Sequence, residues 1–176
     1  MVLNWRGLAD TLACLEALWA MRPPPQRVVV VDNGSGDGSA QALATRLAGR
    51  PSARLIALPQ NVGFAAGCNV AVRAALAEDA VDYFLFCNND AVLRPDALAA
   101  FLADAAARPG IGIFGATVLD AARPDRLQAA GGCRYYPALT IHRPAHAGQA
   151  RDAVPALPEP RLDYVYGACM LVRRAV

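Results

Sequence analysis

The segment from Tyr83 to Asp90 joins an apolar run to polar residues of the kind that bind metal ions. Five hydrophobic residues, Tyr83 to Cys87, predict a strand that is buried on both faces. Asn88, Asn89 and Asp90 then follow at its carboxyl end, where open α/β sheets bind ligands. One carboxylate plus substrate phosphates is a usual set of ligands for Mg²⁺ or Mn²⁺. A polar turn in which Asp90 caps the next helix is the alternative.

Asp32 is a second carboxylate at the end of a predicted strand. It follows four valines, Val28 to Val31. A carboxylate in this place can accept hydrogen bonds from a ribose or a base. A turn in which Asp32 caps the loop is the alternative.

Small residues mark two further places where a ligand can approach the backbone. Gly63 and Gly67 lie four residues apart at a predicted helix start, between Asn61 and Asn69. If the helix begins at Asn61, Asn69 lies about two turns later on roughly the same face. Packing of small residues between helices is the alternative. The pair Gly167-Ala168 precedes another apolar run and leaves room for a sugar or an acceptor.

The elements that must position these residues alternate between strands and helices. Strands are predicted at Val2–Trp5, Val28–Val31, Leu55–Leu58, Tyr83–Cys87 and Ile111–Phe114, with helical apolar spacing between them. Such alternation predicts βαβ units and a mostly parallel sheet. With right-handed crossovers, one edge collects the strand ends at Trp5, Asp32, the loop before Asn61, and Asp90.

The glycine-rich segment Gly34–Ser39 does not indicate a dinucleotide-binding enzyme. Gly34 and Gly36 fit the Gly-x-Gly part of that fingerprint, but Ser39 occupies the third glycine position. The segment also follows the second strand instead of the first. Asp37 would lie unfavourably near a cofactor pyrophosphate. We therefore interpret the segment as a turn whose Asp and Ser cap the next helix.

Composition limits the classes of partner. A chain of 176 residues with 55% hydrophobic content can bury one core, and its net charge of +2 gives no electrostatic case for nucleic-acid binding. No apolar run is long enough to span a bilayer, and no secretory signal is visible. Five scattered cysteines without a Cys-x-x-Cys pair predict reduced, buried thiols and a cytoplasmic location.

We expect a single domain over residues 1–176. Residues 1–116 carry the alternation of strands and helices, and residues 117–176 form a second, different part. The helical and strand periodicity weakens after residue 117. Residues 137–160 are rich in Pro, Ala and Arg and are predicted to form an irregular loop.

Taken together, these motifs resemble family 2 glycosyltransferases, most closely the rhamnosyltransferase-like branch. The resemblance extends from the first residues to the last. It depends on the order and spacing of five segments: Leu3-Asn4-Trp5-Arg6-Gly7, Val30-Val31-Asp32-Asn33-Gly34-Ser35, Asn61 to Asn69, Asn88-Asn89-Asp90, and Gly167-Ala168.

The resemblance implies a GT-A fold: a three-layer α/β/α sandwich with a mostly parallel central sheet, here with an incomplete C-terminal part. It implies that residues 1–116 form the nucleotide-sugar-binding half and residues 117–176 a partial acceptor-side half. It implies transfer of a hexose, with inversion, from a nucleotide-diphospho-sugar to a glycan or lipid-linked acceptor in bacterial cell-envelope polysaccharide synthesis. Peripheral association with the inner face of the membrane and oligomerisation are left open. The implied nucleotide-sugar-binding residues are Asn4, Trp5, Asp32, Asn33, Asn61, Gly63, Gly67, Asn69, Asn88, Asn89, Gly167 and Ala168.

The resemblance also assigns the metal ligand. The family's Asp-x-Asp motif corresponds to Asn88-Asn89-Asp90, so Asn88 replaces the first carboxylate. Asp90 would then bind Mg²⁺ or Mn²⁺ together with the donor diphosphate. The metal would neutralise charge on the leaving nucleoside diphosphate while a carboxylate base deprotonates the acceptor hydroxyl.

The catalytic base is the point at which the sequence departs from the family. The family carries it in a Glu-Asp pair beyond the Gly-Ala segment, and we expect it beyond Val176. The chain's one Glu-Asp pair, Glu78-Asp79, lies in the other half. The carboxylates nearest the expected place are Asp152, Glu159 and Asp163, none in a supporting context.

The expectation is therefore a truncated transferase that binds donor weakly and transfers little sugar. A non-catalytic nucleotide-sugar-binding remnant, or a partner of an intact transferase, is the alternative. A sugar-phosphate nucleotidyltransferase is disfavoured, because the loop Asn4–Gly7 is too short to grip a triphosphate.

Overall fold

A computed structural model describes residues 1–78 and 81–176 of the chain. Residues 1–116 alternate strands and helices in the predicted order. The strands are β1 (Val2–Asn4), β2 (Val28–Asp32), β3 (Ala53–Ala57), β4 (Tyr83–Asn88) and β5 (Ile113–Gly115). The helices are α1 (Leu8–Ala20), α2 (Ser39–Leu47), α3 (Phe64–Glu78) and α4 (Ala97–Ala107).

Six strands form the central sheet, in the order β3-β2-β1-β4-β11-β5. Strands β1 to β4 are parallel, and β11 (Cys169–Arg173) pairs antiparallel with both β4 and β5. The mostly parallel sheet that the sequence predicts is therefore confirmed. Because β11 runs in the opposite direction, the Gly167-Ala168 segment at its start lies at the carboxyl end of β4.

Helices cover both faces of the sheet. Strand β2 is buried throughout, and its valines alternate between two hydrophobic clusters. Val28 and Val30 pack in the cluster that includes residues of α1, α2 and α4, whereas Val29 and Val31 pack with Ala71 of α3. A strand buried on both faces requires this continuous apolar run, and the result is a three-layer sandwich.

The strand order reverses direction between β1 and β4. The chain first builds β1, β2 and β3 outward to one side, and then returns to place β4 on the other side of β1. Open α/β sheets bind ligands in the crevice outside the carboxyl ends of strands at such a reversal. Asn4 ends β1 and Asn88 ends β4, so the polar loops that follow them border this crevice.

Residues 117–176 form two small antiparallel sheets besides β11. Strands β6 (Thr117–Leu119) and β7 (Leu127–Ala130) pair with each other, and β8 (Gly132–Tyr136) lies between β9 (Ile141–Pro144) and β10 (Tyr164–Val165). The segment 137–160, predicted to be irregular, contains β9 and two 3-10 helices, Pro137–Leu139 and Arg151–Ala156. Strand β9 forms because Tyr135 and Tyr136 pair with His142 and Ile141 in a hairpin.

The start of α3 differs from the sequence prediction for an identifiable reason. Helix α3 begins at Phe64 instead of near Asn61. Gly63 has a φ of +87°, and the backbone N–H of Gly63 donates a hydrogen bond to the side chain of Asn61, so these residues form a turn before the helix. Asn61 therefore belongs to the preceding loop. Helix α4 begins at Ala97, two residues after Pro95. Within the described residues, no helix is long and apolar enough to cross a membrane.

Candidate functional site

A buried polar network joins the loops after β1 and β2. Asn4, fully buried at the end of β1, donates from Nδ2 to Asp32 Oδ2 at 2.6 Å and to Ser35 Oγ at 3.1 Å. Asp32 is 2% exposed, and Ser35 donates to its carboxylate from the backbone N–H at 3.1 Å and from Oγ at 2.7 Å. The Asp32 carboxylate therefore accepts three hydrogen bonds within the protein, which fix both loops.

The loop after β2 is joined in turn to the segment before α3. Asn33 is buried and donates from Nδ2 to Asn61 Oδ1 at 3.1 Å and to the carbonyl of Gly63 at 3.3 Å. The backbone N–H of Val62 donates to Asn33 Oδ1 at 3.1 Å. The two predicted binding segments, Asp32–Ser35 and Asn61–Gly67, are thus brought together along the edge of the sheet.

Two glycines are required because other atoms occupy the space of a side chain. A Cβ on Gly34, which has a φ of +68°, would lie 2.3 Å from the backbone carbon of Gln60. A Cβ on Gly67 would lie 2.6 Å from Leu3 Cδ1. At Gly67 the close approach comes from protein and not from a ligand, so packing explains this glycine. Gly63 is exposed, and its positive φ shapes the loop.

The turn after β4 lies against the start of α1 and the start of β11. Asn89 donates from Nδ2 to Thr11 Oγ1 at 3.1 Å, and Thr11 donates to Asn4 Oδ1 at 2.8 Å. The backbone N–H of Asn88 donates to the carbonyl of Ala168 at 2.9 Å. Asn4, Asn88, Asn89 and Ala168 therefore meet at the β1–β4 reversal, as the predicted convergence of loops requires.

Asp90 is the one residue of this turn whose side chain is exposed to solvent. Among the described residues its carboxylate accepts no hydrogen bond and forms no ion pair. The described residues also contain no group of three His, Cys, Asp or Glu side chains that would hold a metal alone. A free carboxylate at the end of a strand fits a hard divalent cation that takes its remaining ligands from a diphosphate.

Several other predicted site residues lie on the exposed rim. Trp5 is 53% exposed, and the guanidinium of Arg6 lies 5.4 Å from the centre of its ring. Arg6 has a φ of +56° and donates to the carbonyl of Ser35. Asn69 is exposed on α3, away from the hydrogen-bonded network. Gly167 is exposed, with open space where a side chain would lie.

A cavity of about 10 Å³ lies beneath the β1–β4 reversal, with room for about one water molecule. It is lined by Leu3, Phe64, Gly67, Asn88 and Gly167, among others. It is too small for a sugar.

Arginines neutralise the carboxylates that sequence reasoning considered as bases. Asp152 pairs with Arg151, and Glu159 pairs with Arg108. Asp163 accepts hydrogen bonds from the Tyr135 backbone N–H and from Arg134, and these contacts lower its pKa. None of the three lies in the polar network at the sheet edge. Of the pair Glu78-Asp79, Asp79 lies outside the described residues.

Sequence reasoning missed two residues that complete the network, Thr11 and Ser35. Thr11 is fully buried in the first turns of α1 and connects Asn4 to Asn89. Ser35 connects Asp32 to the backbone of Arg6. The Asp-x-x-Ser spacing is a signal for such a turn, because a side-chain oxygen readily binds a backbone N–H a few residues on.

The cysteines are all free, as predicted, and four of the five are buried. Cys14 Sγ lies 3.7 Å from Cys87 Sγ, directly below the turn after β4. Its hydrogen bond to Cys87 and its burial raise the pKa of the Cys14 thiol far above the ordinary value.

Comparisons with known proteins support a specific family. The model of the family described as "Glycosyl transferase family 2" matches residues 5–146, more than half of the chain. A search of curated proteins found no match.

Two solved structures are similar to this chain. The mannosyltransferase PcManGT from Pyrobaculum calidifontis, solved with GDP-Man and Mn²⁺, has a TM-score of 0.62 and 19% identity over 99% of this chain. S. aureus TarS 1–349 has a TM-score of 0.50 and 20% identity over 61% of this chain. The matched regions cover only 43% and 32% of those two chains.

These likenesses show a shared fold, and the three-layer sandwich with its mostly parallel sheet is that of the GT-A class. The match over residues 5–146 includes three of the five segments singled out from the sequence in full, together with Trp5–Gly7 of the first. The chain therefore belongs to glycosyl transferase family 2.

Proposed function

We propose that this chain binds a nucleotide-diphospho-sugar at the β1–β4 edge and takes part in transferring its sugar to a glycan or lipid-linked acceptor. The observation that supports this most is the convergence of three loops and the Gly167-Ala168 segment around the reversal of strand order. Family membership gives the convergence its chemical meaning.

In this proposal the two ends of the crevice have different roles. The loops held by Asp32 and Asn33 present the exposed Trp5 and the Asn61–Gly63 segment to the nucleoside. Asn88, Asn89 and Asp90 face the diphosphate, and Gly167 with Ala168 leaves space for the sugar. Asp32 acts by holding the two loops in place.

Asp90 holds a divalent cation, Mg²⁺ or Mn²⁺, together with the donor diphosphate. The bound cation would supply neutralisation of the charge that develops on the leaving nucleoside diphosphate. The side chain of Asp90 is suited to this because it is exposed and unpaired among the described residues. PcManGT, a relative by fold, was solved with GDP-Man and Mn²⁺, which agrees with this proposal.

The reaction proposed is a direct displacement that inverts the anomeric carbon. The acceptor hydroxyl attacks the face of the sugar opposite the diphosphate, and a carboxylate base takes its proton. We assign that base to none of Asp152, Glu159 and Asp163, because each is held by an arginine. The same pairing favours a second candidate, in which this chain binds donor without transferring sugar.

Calorimetry with GDP, UDP and dTDP, each with and without Mn²⁺, tests donor binding. We expect one nucleotide to bind only when Mn²⁺ is present. Absence of binding by all three would contradict the proposal. A transfer assay with a donor whose sugar is labelled then separates the two candidates. Release of free sugar without labelling of the acceptor, or no turnover of the donor, supports binding alone. Transfer of the sugar to the acceptor at an ordinary enzymatic rate supports the transferase.

A further inference from the structure

The small sheet of β8, β9 and β10 presents two different surfaces. Paired residues of antiparallel strands share a face, and successive residues alternate. Tyr135 pairs with His142 and Tyr164 pairs with Cys133, so the aromatic trio Tyr135, His142 and Tyr164 shares one face, named here the Tyr135 face. The opposite Tyr136 face consists of Arg134, Tyr136, Ile141 and Arg143.

The three rings of the Tyr135 face are fixed against one another. Tyr135 and His142 are stacked, with ring centres 4.7 Å apart and planes inclined by 22°. Tyr164 meets His142 edge-on at 5.5 Å, and its hydroxyl lies 2.7 Å from His142 Nδ1. All three residues are exposed. Binding of a ligand to these rings loses little side-chain entropy, because the rings are already held in place.

The chemistry of this face suits a sugar ring. Aromatic rings offer apolar faces, and their hydroxyl and imidazole edges offer hydrogen bonds. A pyranose has the complementary form, with C–H groups on one face and hydroxyls around its rim. The Tyr136 face, by contrast, carries Ile141 and two arginines.

The chain connects this face directly to the donor edge. Strand β10 ends at Val165, the backbone N–H of Tyr166 donates to Gly131, and Ala168 then accepts from Asn88. The three residue steps from Tyr164 to Gly167 span at most about 10 Å, the length of a fully extended chain. A saccharide bound to Tyr164 therefore lies within one or two sugar units of the open space at Gly167.

We propose that the Tyr135 face is an acceptor subsite that stacks a pyranose ring of a saccharide acceptor. This assignment rests on the proposed function, because it gives the acceptor a place beside the donor edge. Tyr135 supplies the principal ring through its outer face, His142 stacks against its other face, and the hydroxyl of Tyr164 holds His142 in orientation.

Saturation-transfer NMR with mannotetraose, cellotetraose and tri-N-acetylchitotriose tests the proposal. We expect at least one of the three to bind, and Tyr135→Ala to weaken its binding about tenfold. Tyr136→Ala is the matched control, because Tyr136 is the neighbouring residue, is 40% exposed against 37% for Tyr135, and points to the other face. Tyr164→Phe keeps the ring and should weaken binding about threefold, which tests the site with minimal disturbance of the fold.

Failure of all three saccharides to bind would overturn the proposal, as would equal losses in Tyr135→Ala and Tyr136→Ala. A dimer that forms in solution and is broken by Tyr135→Ala would assign the face to a second copy and also overturn it. Calorimetry with nucleoside diphosphate and Mn²⁺ on the same samples separates this proposal from the proposed function. Saccharide binding without nucleotide binding refutes only the function, and the reverse result refutes only the Tyr135 face.

Discussion

Asp32 and Asp90 each follow a parallel strand at the same edge of the sheet, yet their surroundings differ. Asp32 is 2% exposed and accepts three hydrogen bonds from Asn4 and Ser35. Asp90 is exposed and accepts none from the described residues. The comparison teaches that a carboxylate at a strand end has no single role: one is committed to holding loops, and the other is free to bind a ligand.

Asp32→Ala should cause the largest loss of stability. It removes the acceptor of one Asn4 amide N–H and of the hydroxyl and backbone N–H of the buried Ser35, and we expect the free energy of unfolding to fall by about 3 kcal/mol. Urea denaturation measures it. Asp90→Ala is the control and should change stability by no more than about 0.5 kcal/mol. Equal losses in the two variants would remove the distinction between the carboxylates.

Gly34→Ala should destabilise the loop after β2 that contains Asp32, through contact with the backbone of a neighbouring loop. The new Cβ would lie 2.3 Å from the Gln60 backbone in addition to the strain of a positive φ, so we expect a loss of about 2–3 kcal/mol. Gly36 has a similar φ of +66° with no atom within 4 Å of its Cβ position. Gly36→Ala should therefore cost only about 1 kcal/mol, from strain alone. Thermal unfolding of both variants checks the difference, and equal costs would rule out the contact.

Asn89→Ala should have a smaller effect on stability, because it loosens only the turn after β4 that carries Asp90. Its side chain joins the turn after β4 to Thr11 and to the carbonyl of Gly7, and losing these bonds should cost about 1 kcal/mol. We expect weaker nucleotide binding as well, since the turn that presents Asp90 loses its attachment. Unfolding and calorimetry on one sample test both effects. An unchanged affinity would show that the turn is positioned without Asn89.

The smallest effect concerns the thiols below the turn. Burial and hydrogen bonding raise the pKa of Cys14, and burial raises that of Cys68, so both remain protonated at pH 8. Because only the thiolate attacks a disulfide reagent, native protein should react slowly with 5,5′-dithiobis(2-nitrobenzoate). The same reagent should label all five cysteines after unfolding in urea. Fast reaction of the native protein would show that the core under the site opens readily.

The sequence predicted the sheet better than the site, for physical reasons. The four valines before Asp32 form a strand that is buried on both faces, and such a continuous apolar run is visible in the sequence. The apolar run before Asn88 forms the predicted strand, but full burial was wrong there, because Tyr83 to Phe86 are only partly buried. The roles of Asp32 and Asp90 depend instead on which side chains meet across loops. Asn4 and Asp32 are 28 residues apart, and Thr11 and Asn89 are 78 apart, so no local pattern shows their contact.

Residues 117–176 were the least predictable part. Strand β9 pairs exposed residues on both faces, so neither alternation nor a continuous apolar run marks it. The start of α3 was predicted too early, because Asn61 and Gly63 form a turn whose hydrogen bonds come from Asn33 in another loop. The two aromatic faces likewise depend on hairpin register and not on composition.

Calorimetry of the best-binding nucleoside diphosphate with Mn²⁺, on Asp90→Asn beside Asp96→Asn, tests the central claim most directly. Asp96 is another exposed carboxylate six residues on, paired with Arg94. The account predicts that Asp90→Asn loses at least about tenfold in Mn²⁺-dependent affinity, while Asp96→Asn keeps the affinity of the unaltered chain. An Asp90→Asn variant that retains full Mn²⁺-dependent binding would contradict it.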